Sequence, residues 1–128
     1  MKTIKLSGKV FSGQGRGEEF LKLPWVKRQM KTKLGFTPYQ GTLNIKLSEE
    51  SAKRRKLFEK ATSIKVCPAK GFCSGTVIKA SIGALECAIV IPEVASYPED
   101  VLEIIAPANL RETLQLMDGD EITVTVNL

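Results

Sequence analysis

Short segments that alternate between apolar and polar residues constrain the fold of this chain most strongly. Residues 42–47 place Leu43, Ile45 and Leu47 on one face and polar side chains on the other. Residues 121–126 repeat the same alternation. A period of two is that of a β-strand with one buried face. Further strands are predicted at residues 3–12, 62–67, 72–81 and 85–91, which gives about six or seven short strands in all.

Helix signals are fewer than strand signals. Residues 18–33 are predicted to be helical, with a break or a restart at Pro24. Ser48 is predicted to cap a polar helix over residues 49–61, and Pro107 to begin a helix that runs to about Leu116. Because helices do not alternate regularly with strands, a parallel βαβ arrangement is disfavoured. We therefore predict a mainly β fold, a small six-stranded closed barrel with a few short helices, in a single domain over residues 1–128.

Composition excludes several classes of protein. No apolar run approaches the roughly 20 residues that cross a bilayer, and residues 1–5 resemble a strand more than a signal peptide, so we expect a cytoplasmic protein with no membrane partner. The chain has three cysteines, no CxxC pair and no histidine, which disfavours both a disulfide framework and a zinc site. Cys87 lies in an apolar run and is predicted to be a core residue.

Charge is distributed unevenly along the chain. Residues 1–82 carry 18 Lys and Arg against 5 Asp and Glu, a net charge of +13, whereas residues 83–128 carry 1 against 9, a net charge of −8. A basic region suggests a polyanionic ligand, and a folded protein whose two halves attract each other explains the asymmetry equally well. The basic cluster at residues 53–56 lies on a polar helix, which favours a solvated face over a nucleic-acid site.

Three glycines alternate in the run Gly13-Gln14-Gly15-Arg16-Gly17, directly after the first predicted strand. Glycines let successive backbone amides point into one concavity that suits a phosphate. Arg16 adds a charge, and a helix that begins at Glu18 would point its positive end the same way. A flexible hairpin or a barrel corner accounts for the glycines as well, and the run is not a Walker A loop.

Thr42 and Asn44 lie together on the polar face of one predicted strand. Their neutral oxygens suit a Mg²⁺ ion that keeps several waters and takes its other ligands from phosphates. The polar face of a half-buried strand is the simpler interpretation of the spacing.

Glu103 interrupts the apolar segment 101–105. A carboxylate in such a segment is either outward-facing or held there for a purpose. Arg111 is the one basic residue after Lys79, so it is a candidate for anion binding. A local salt bridge with Glu103 or Glu112 is the alternative.

These pieces, in this order, resemble the archaeal CTP-dependent riboflavin kinase family. The match rests on residues 8–17, 34–45, 102–107 with 109–111, and the turn Asp118-Gly119-Asp120. The resemblance implies a six-stranded cradle-loop barrel. It also implies transfer of the γ-phosphate of CTP to the ribityl 5′-hydroxyl of riboflavin, which gives FMN and CDP.

The resemblance also implies roles for individual residues. The nucleotide would be bound by Gly13, Gln14, Gly15, Arg16, Gly17, Glu18, Ala108, Asn109, Leu110 and Arg111. Mg²⁺ would be bound by Thr42 and Asn44, and the flavin by Glu103, the candidate catalytic residue, and by Ala95. The family tends to have a threonine that contacts the flavin phosphate where this chain has Ala95, and Ser96 is the neighbouring hydroxyl.

Two other classes of function stay open at this point. A small barrel that binds nucleic acid would account for the basic region, although we expect no nucleic-acid partner. A flavin or nucleotide carrier without catalytic activity would account for the binding residues. Formation of FMN from riboflavin, Mg²⁺ and a nucleoside triphosphate separates an enzyme from both.

Overall fold

The computed structural model describes residues 3–12, 23–39, 41–55, 57, 63–66, 75–92 and 99–127. These residues form β-strands β1 (Thr3–Phe11), β2 (Leu43–Leu47), β3 (Ser63–Val66), β4 (Gly75–Ile82), β5 (Leu85–Pro92), β6 (Val101–Ile105) and β7 (Glu121–Asn127). They also form α-helices α1 (Pro24–Leu34), α2 (Glu49–Arg54) and α3 (Leu110–Leu114). No helix in the described part of the chain is long and apolar enough to span a membrane.

Six of the strands close into an antiparallel barrel, as predicted. The order around the ring is β4-β5-β6-β2-β1-β7, and β7 returns to pair with β4. β4 pairs with β5 along its length and divides its other edge between two partners. The first half of that edge pairs with β3, and the second half pairs with β7 through Ala80–Val126 and Ser81–Thr125. Closure leaves the ring without an open edge of its own.

The alternating strands turn their apolar faces into the barrel. Each second residue of β1, β2 and β7 is buried, whereas most of the residues between them are exposed or half-exposed. The interior includes Leu6, Val10, Ile45, Ile89, Leu102, Ile104 and Val124. Cys87 is fully buried in the same cluster, which confirms its predicted place in the core.

Gly8 lies where strands β1 and β2 approach each other closely. It pairs with Leu47, and a Cβ atom at this position would lie 2.5 Å from both the Lys46 carbonyl oxygen and the Ile45 Cγ2. Real Cβ atoms do not approach other heavy atoms so closely, so the β1–β2 pairing depends on glycine here.

A second apolar cluster lies on the outside of the barrel. Helix α1 presents Val26, Met30 and Leu34, spaced four residues apart on one face, to Val90 and Ile105 of the sheet. Its first residue is Pro24, whose fixed φ suits a helix start, so a helix begins at this proline. The segment before residue 23 that was predicted to be helical lies outside the described residues.

Helix α2 begins as predicted and explains part of the basic cluster. Ser48 is its N-cap, and its Oγ accepts a hydrogen bond from the Ser51 amide at 3.2 Å. Arg54 donates to the Lys5 carbonyl and to Glu50, and Arg55 donates to the carbonyls of Glu99 and Val101. Two members of the basic cluster therefore hold α2 against the barrel. The helix is described to Arg54, and residues 56 and 58–61 of the predicted helix lie outside the described part.

The predicted helix start at Pro107 is wrong. Helix α3 begins at Leu110, with Asn109 as its N-cap, whose Oδ1 accepts from the Glu112 amide at 3.2 Å. A side-chain cap that satisfies a free helical amide determines the start more strongly than proline does. The apolar segment 101–105, which had no assigned structure, is the central strand β6 between β5 and β2.

Candidate functional site

Thr42, Asn44 and Glu103 lie side by side on the outer face of the barrel, where β2 pairs with β6. Asn44 is directly opposite Glu103 in the antiparallel register. The Thr42 Oγ1 donates a hydrogen bond to the Glu103 Oε1 at 3.3 Å. The structure therefore brings together the two residues predicted to bind Mg²⁺ and the residue predicted to be catalytic. We call these three residues the polar cluster.

Glu103 is almost completely hidden from solvent, with 2% of its surface exposed. Its neighbours Leu102 and Ile104 point into the barrel, so Glu103 points outward, and the residue opposite it on β5 is Val90. Glu103 is therefore outward-facing with respect to the barrel, as one of the two interpretations expects, but it is buried and not solvated. A carboxylate is rarely buried unless it has polar partners or a function that needs it.

Each side chain of the polar cluster can offer an oxygen atom to a cation. Thr42 gives its proton to Glu103 and keeps lone pairs that a cation can use. No hydrogen bond involves the Asn44 side chain among the residues that the structure describes. No group of three His, Cys, Asp or Glu side chains is placed to bind a metal within that part of the chain. A hydroxyl, an amide and one carboxylate fit Mg²⁺, which prefers oxygen ligands and retains water.

A cavity of about 130 Å³ borders the polar cluster. Thr42 belongs to both, and Tyr39 forms another part of the wall. The cavity is also lined by Gly41, Leu43, Ile104, Ala106, Ala108, Asn109, Leu110 and Arg111. Residues 108–111, all predicted to bind the nucleotide, are thus next to the predicted metal ligands.

Asn109 links α3 to the loop before β2. While its Oδ1 caps the helix, its Nδ2 donates to the Tyr39 hydroxyl at 3.3 Å. The Tyr39 amide in turn donates to the Ala106 carbonyl at 2.8 Å. Tyr39 is held at both its backbone and its side chain, although 45% of the residue is exposed.

Arg111 makes contacts that the sequence did not indicate. Its Nη2 lies 2.7 Å from the Asp118 Oδ1 and donates to the Phe11 carbonyl at 3.2 Å. Ser12 donates to the other carboxylate oxygen, Oδ2, at 2.9 Å. The hydrogen bond from Arg111, together with that from Ser12, lowers the pKa of Asp118. Among the described residues, the ion pair of Arg111 is with Asp118, so the local alternatives with Glu103 and Glu112 are wrong.

Seven of the predicted site residues cannot be compared with the structure. The run Gly13 to Glu18 and the flavin-contacting position Ala95 lie outside the described residues. Their predicted roles stay predictions.

Two residues of the site were missed at the level of sequence. Tyr39 lies in a turn-rich loop, and an aromatic residue there carries no distinctive pattern. Asp118 was assigned to a turn, and the turn is present, with Gly119 at a φ of 94°. The proximity of Asp118 to Arg111 follows from the fold, which returns the chain to the end of β1 just before β7.

Fold and site together define a small closed antiparallel barrel with an oxygen-rich polar cluster beside a cavity. The family model CTP-dep_RFKase, described as "Domain of unknown function DUF120", matches residues 10–126. The chain therefore belongs to the CTP-dependent riboflavin kinase family.

Curated relatives from archaea carry the name riboflavin kinase. The protein of Methanosarcina barkeri is 39% identical over 125 residues, which cover 94% of this chain and 56% of the relative. That of Pyrobaculum islandicum is 40% identical over 133 residues, which cover 98% of this chain and 62% of the relative. That of Ignicoccus hospitalis is 39% identical over 129 residues, with 98% and 72% covered. The chain thus spans less than two thirds of the first two relatives.

Proposed function

We propose that this chain is a riboflavin kinase that transfers the γ-phosphate of CTP to the 5′-hydroxyl of riboflavin, with Mg²⁺. The observation that carries the proposal is the polar cluster: Thr42 bonded to a buried Glu103 that is paired with Asn44, beside a cavity. The name of the relatives supports riboflavin as the acceptor, and the name of the family supports CTP as the donor.

Thr42 and Asn44 are the proposed ligands of Mg²⁺. Asn44 lies in β2 opposite Glu103, Thr42 directly precedes that strand and bonds to the same carboxylate, and both side chains carry a neutral oxygen. When bound, Mg²⁺ would neutralise negative charge on the phosphate oxygens of the nucleotide. The hydrogen bond from Thr42 to Glu103 fixes the rotation of the hydroxyl, so that its lone pairs point away from the carboxylate.

Glu103 is the proposed proton acceptor. The 5′-hydroxyl oxygen of riboflavin forms a bond to the γ-phosphorus, the bond from that phosphorus to the β–γ bridging oxygen breaks, and CDP leaves with the electron pair. The hydroxyl proton passes to the Glu103 carboxylate. Burial of Glu103 keeps water away from the acceptor and orients the carboxylate for one hydroxyl.

The nucleotide is proposed to contact the cavity wall and the glycine run. Ala108, Asn109, Leu110 and Arg111 line the cavity beside Thr42. The family resemblance adds Gly13, Gln14, Gly15, Arg16, Gly17 and Glu18 for the phosphates and Ala95 for the flavin side. Such a site acts mainly by positioning and charge stabilisation, which is what phosphoryl transfer requires.

A single assay tests the proposal. The purified chain is incubated with riboflavin, Mg²⁺ and one nucleoside triphosphate at a time, and the flavins are separated by chromatography. We expect FMN and CDP in equal amounts with CTP, and much less FMN with ATP, GTP or UTP. Absence of FMN with every nucleotide would refute a kinase, and equal rates with all four would refute the preference for CTP.

The same preparations test the two rival classes. A carrier would bind FMN or CDP without turnover, and a nucleic-acid-binding barrel would show binding that falls steeply with salt. The contacts of Arg54 and Arg55 with backbone carbonyls favour a structural role for this part of the basic cluster.

A further inference from the structure

We propose that Asp118 is a positioning residue for the nucleotide site, because it ties the end of β1 to helix α3. This inference rests on the proposed function, since it assigns Asp118 to the nucleotide half of that site. Asp118 does not line the cavity, so it would act through Arg111 and Ser12.

The two oxygens of Asp118 bind two different segments. Oδ1 accepts from Arg111 on α3 at 2.7 Å, and Oδ2 accepts from Ser12 at the end of β1 at 2.9 Å. The same Arg111 nitrogen reaches the Phe11 carbonyl at 3.2 Å. One carboxylate and one guanidinium therefore join three parts of the chain: β1, α3 and the turn before β7.

Backbone hydrogen bonds fix this turn on the same strand. The Gly119 amide donates to the Val10 carbonyl at 2.7 Å, and the Val10 amide donates to the Asp120 carbonyl at 2.8 Å. Asp118 is thus attached to a rigid support beside the last residues of β1.

The segments that Asp118 joins are the two that are proposed to bind the nucleotide. Ser12 directly precedes Gly13 in the sequence, and Arg111 follows Ala108, Asn109 and Leu110 in the cavity wall. A nucleotide that contacts both segments binds more tightly if their separation is fixed beforehand, because less conformational freedom is lost on binding. Fixing that separation is the role that the contacts of Asp118 suit.

The exposure of the pair argues against a role in stability alone. The side chains of Arg111 and Asp118 are 35% and 55% exposed, and ion pairs in such surroundings stabilise a fold only slightly. A strong effect of Asp118 on nucleotide binding, with little effect on unfolding, would therefore separate positioning from stabilisation. The lowered pKa of Asp118 agrees with a carboxylate that stays charged and bonded to Arg111.

The test compares two alanine variants of the same turn. Asp118→Ala removes both acceptors, whereas Asp120→Ala is the matched control, because the Asp120 carboxylate accepts only from the nearby Met117 amide within the described residues. Binding of CDP in the presence of Mg²⁺ is measured by calorimetry without riboflavin. We expect Asp118→Ala to weaken CDP binding about 5- to 10-fold, as loss of an exposed ion pair and one hydrogen bond would do, and Asp120→Ala to stay within about twofold.

Kinetics and a conservative variant complete the comparison. Asp118→Ala should raise the KM for CTP and leave the KM for riboflavin unchanged, and Asp118→Glu should recover most of the affinity because it retains both oxygens. Equal weakening of CDP binding by the two alanine variants, or none by Asp118→Ala, would overturn the positioning role. If Asp118→Ala does not fold, Asp118→Asn, which keeps one acceptor oxygen, replaces it in the same CDP titration. Its affinity for CDP is then compared with that of Asp120→Ala. Because CDP binding is measured without turnover, lack of FMN formation would refute the proposed kinase and would not alter this comparison.

Discussion

Replacement of Glu103 by glutamine separates the chemistry of the polar cluster from its structure. Glutamine has almost the shape of glutamate, and its carbonyl oxygen can still accept the 3.3 Å hydrogen bond from Thr42. What disappears is the negative charge and the ability to take a proton. The substitution therefore tests the acceptor role while it leaves the contacts of a buried position nearly intact.

The expected changes in stability and in rate differ greatly in size. Weakening one hydrogen bond to a charged acceptor costs about 1 kcal/mol, and removal of a buried charge offsets part of that cost. Loss of a general base lowers the rate by roughly 10²- to 10⁴-fold, which is about 3–5 kcal/mol in the activation free energy. We expect kcat to fall within this range while the unfolding midpoint in urea moves little.

The assay is initial-rate formation of FMN at saturating CTP and riboflavin, with urea unfolding of the same preparations. Glu86→Gln is the matched control, because Glu86 is an exposed carboxylate on β5. An unchanged kcat in Glu103→Gln would refute the acceptor role. A similar fall in both variants, or a fall that follows the loss of folded protein, would refute the reasoning from burial.

Three further predictions follow from individual contacts. Thr42→Val removes the hydroxyl and should raise the Mg²⁺ concentration needed for half-maximal FMN formation; an unchanged Mg²⁺ dependence would argue against ligation. Gly8→Ala forces a Cβ to 2.5 Å from the Lys46 carbonyl oxygen and should lower the free energy of unfolding, measured in urea, by about 1–3 kcal/mol. Gly83→Ala has open space around it and should lower the same free energy by about 1–2 kcal/mol through its positive φ alone. Burial raises the pKa of Cys87 from 9.0 to about 12, so the folded state keeps a proton that the unfolded state loses above pH 9. Stability should therefore fall by up to about 1.4 kcal/mol per pH unit between pH 9 and 12, and the gap in unfolding free energy between the wild type and Cys87→Ala should narrow over that window.

Sequence patterns predicted the parts of this fold that depend on neighbouring residues. The alternation of Leu43, Ile45 and Leu47 assigned the inner face of β2, and the same alternation put Thr42 and Asn44 together outside. Ser48 was correctly assigned as a cap, because the bond from its side chain spans only three residues. Such features are determined locally, by the two-residue period of a strand and by the free backbone amides at the start of a helix.

Features that depend on distant residues were not predictable in the same way. The burial of Glu103 requires β6 to lie between β2 and β5, which bring Asn44 and Val90 to its two sides. The ion pair of Arg111 with Asp118 requires the turn before β7 to lie against β1. Judged from its own segment, Glu103 could have been solvated and Arg111 could have paired with Glu103 or Glu112. The pairing of the strands and the position of the turn before β7 exclude these alternatives.

The barrel closes through a seam, the short stretch where Ala80 and Ser81 of β4 pair with Val126 and Thr125 of β7. Around the ring, this seam is diametrically opposite the junction of β2 and β6 that carries the polar cluster, with two strand-to-strand steps on either side. Transient opening of the barrel should begin at the seam, because so short a strand pairing has few hydrogen bonds. The backbone amides of the seam should therefore exchange with deuterium sooner than those of β2. The register of Asn44 and Glu103 should be retained during such openings, so that the barrel opens on one side while the geometry of the polar cluster is kept on the other.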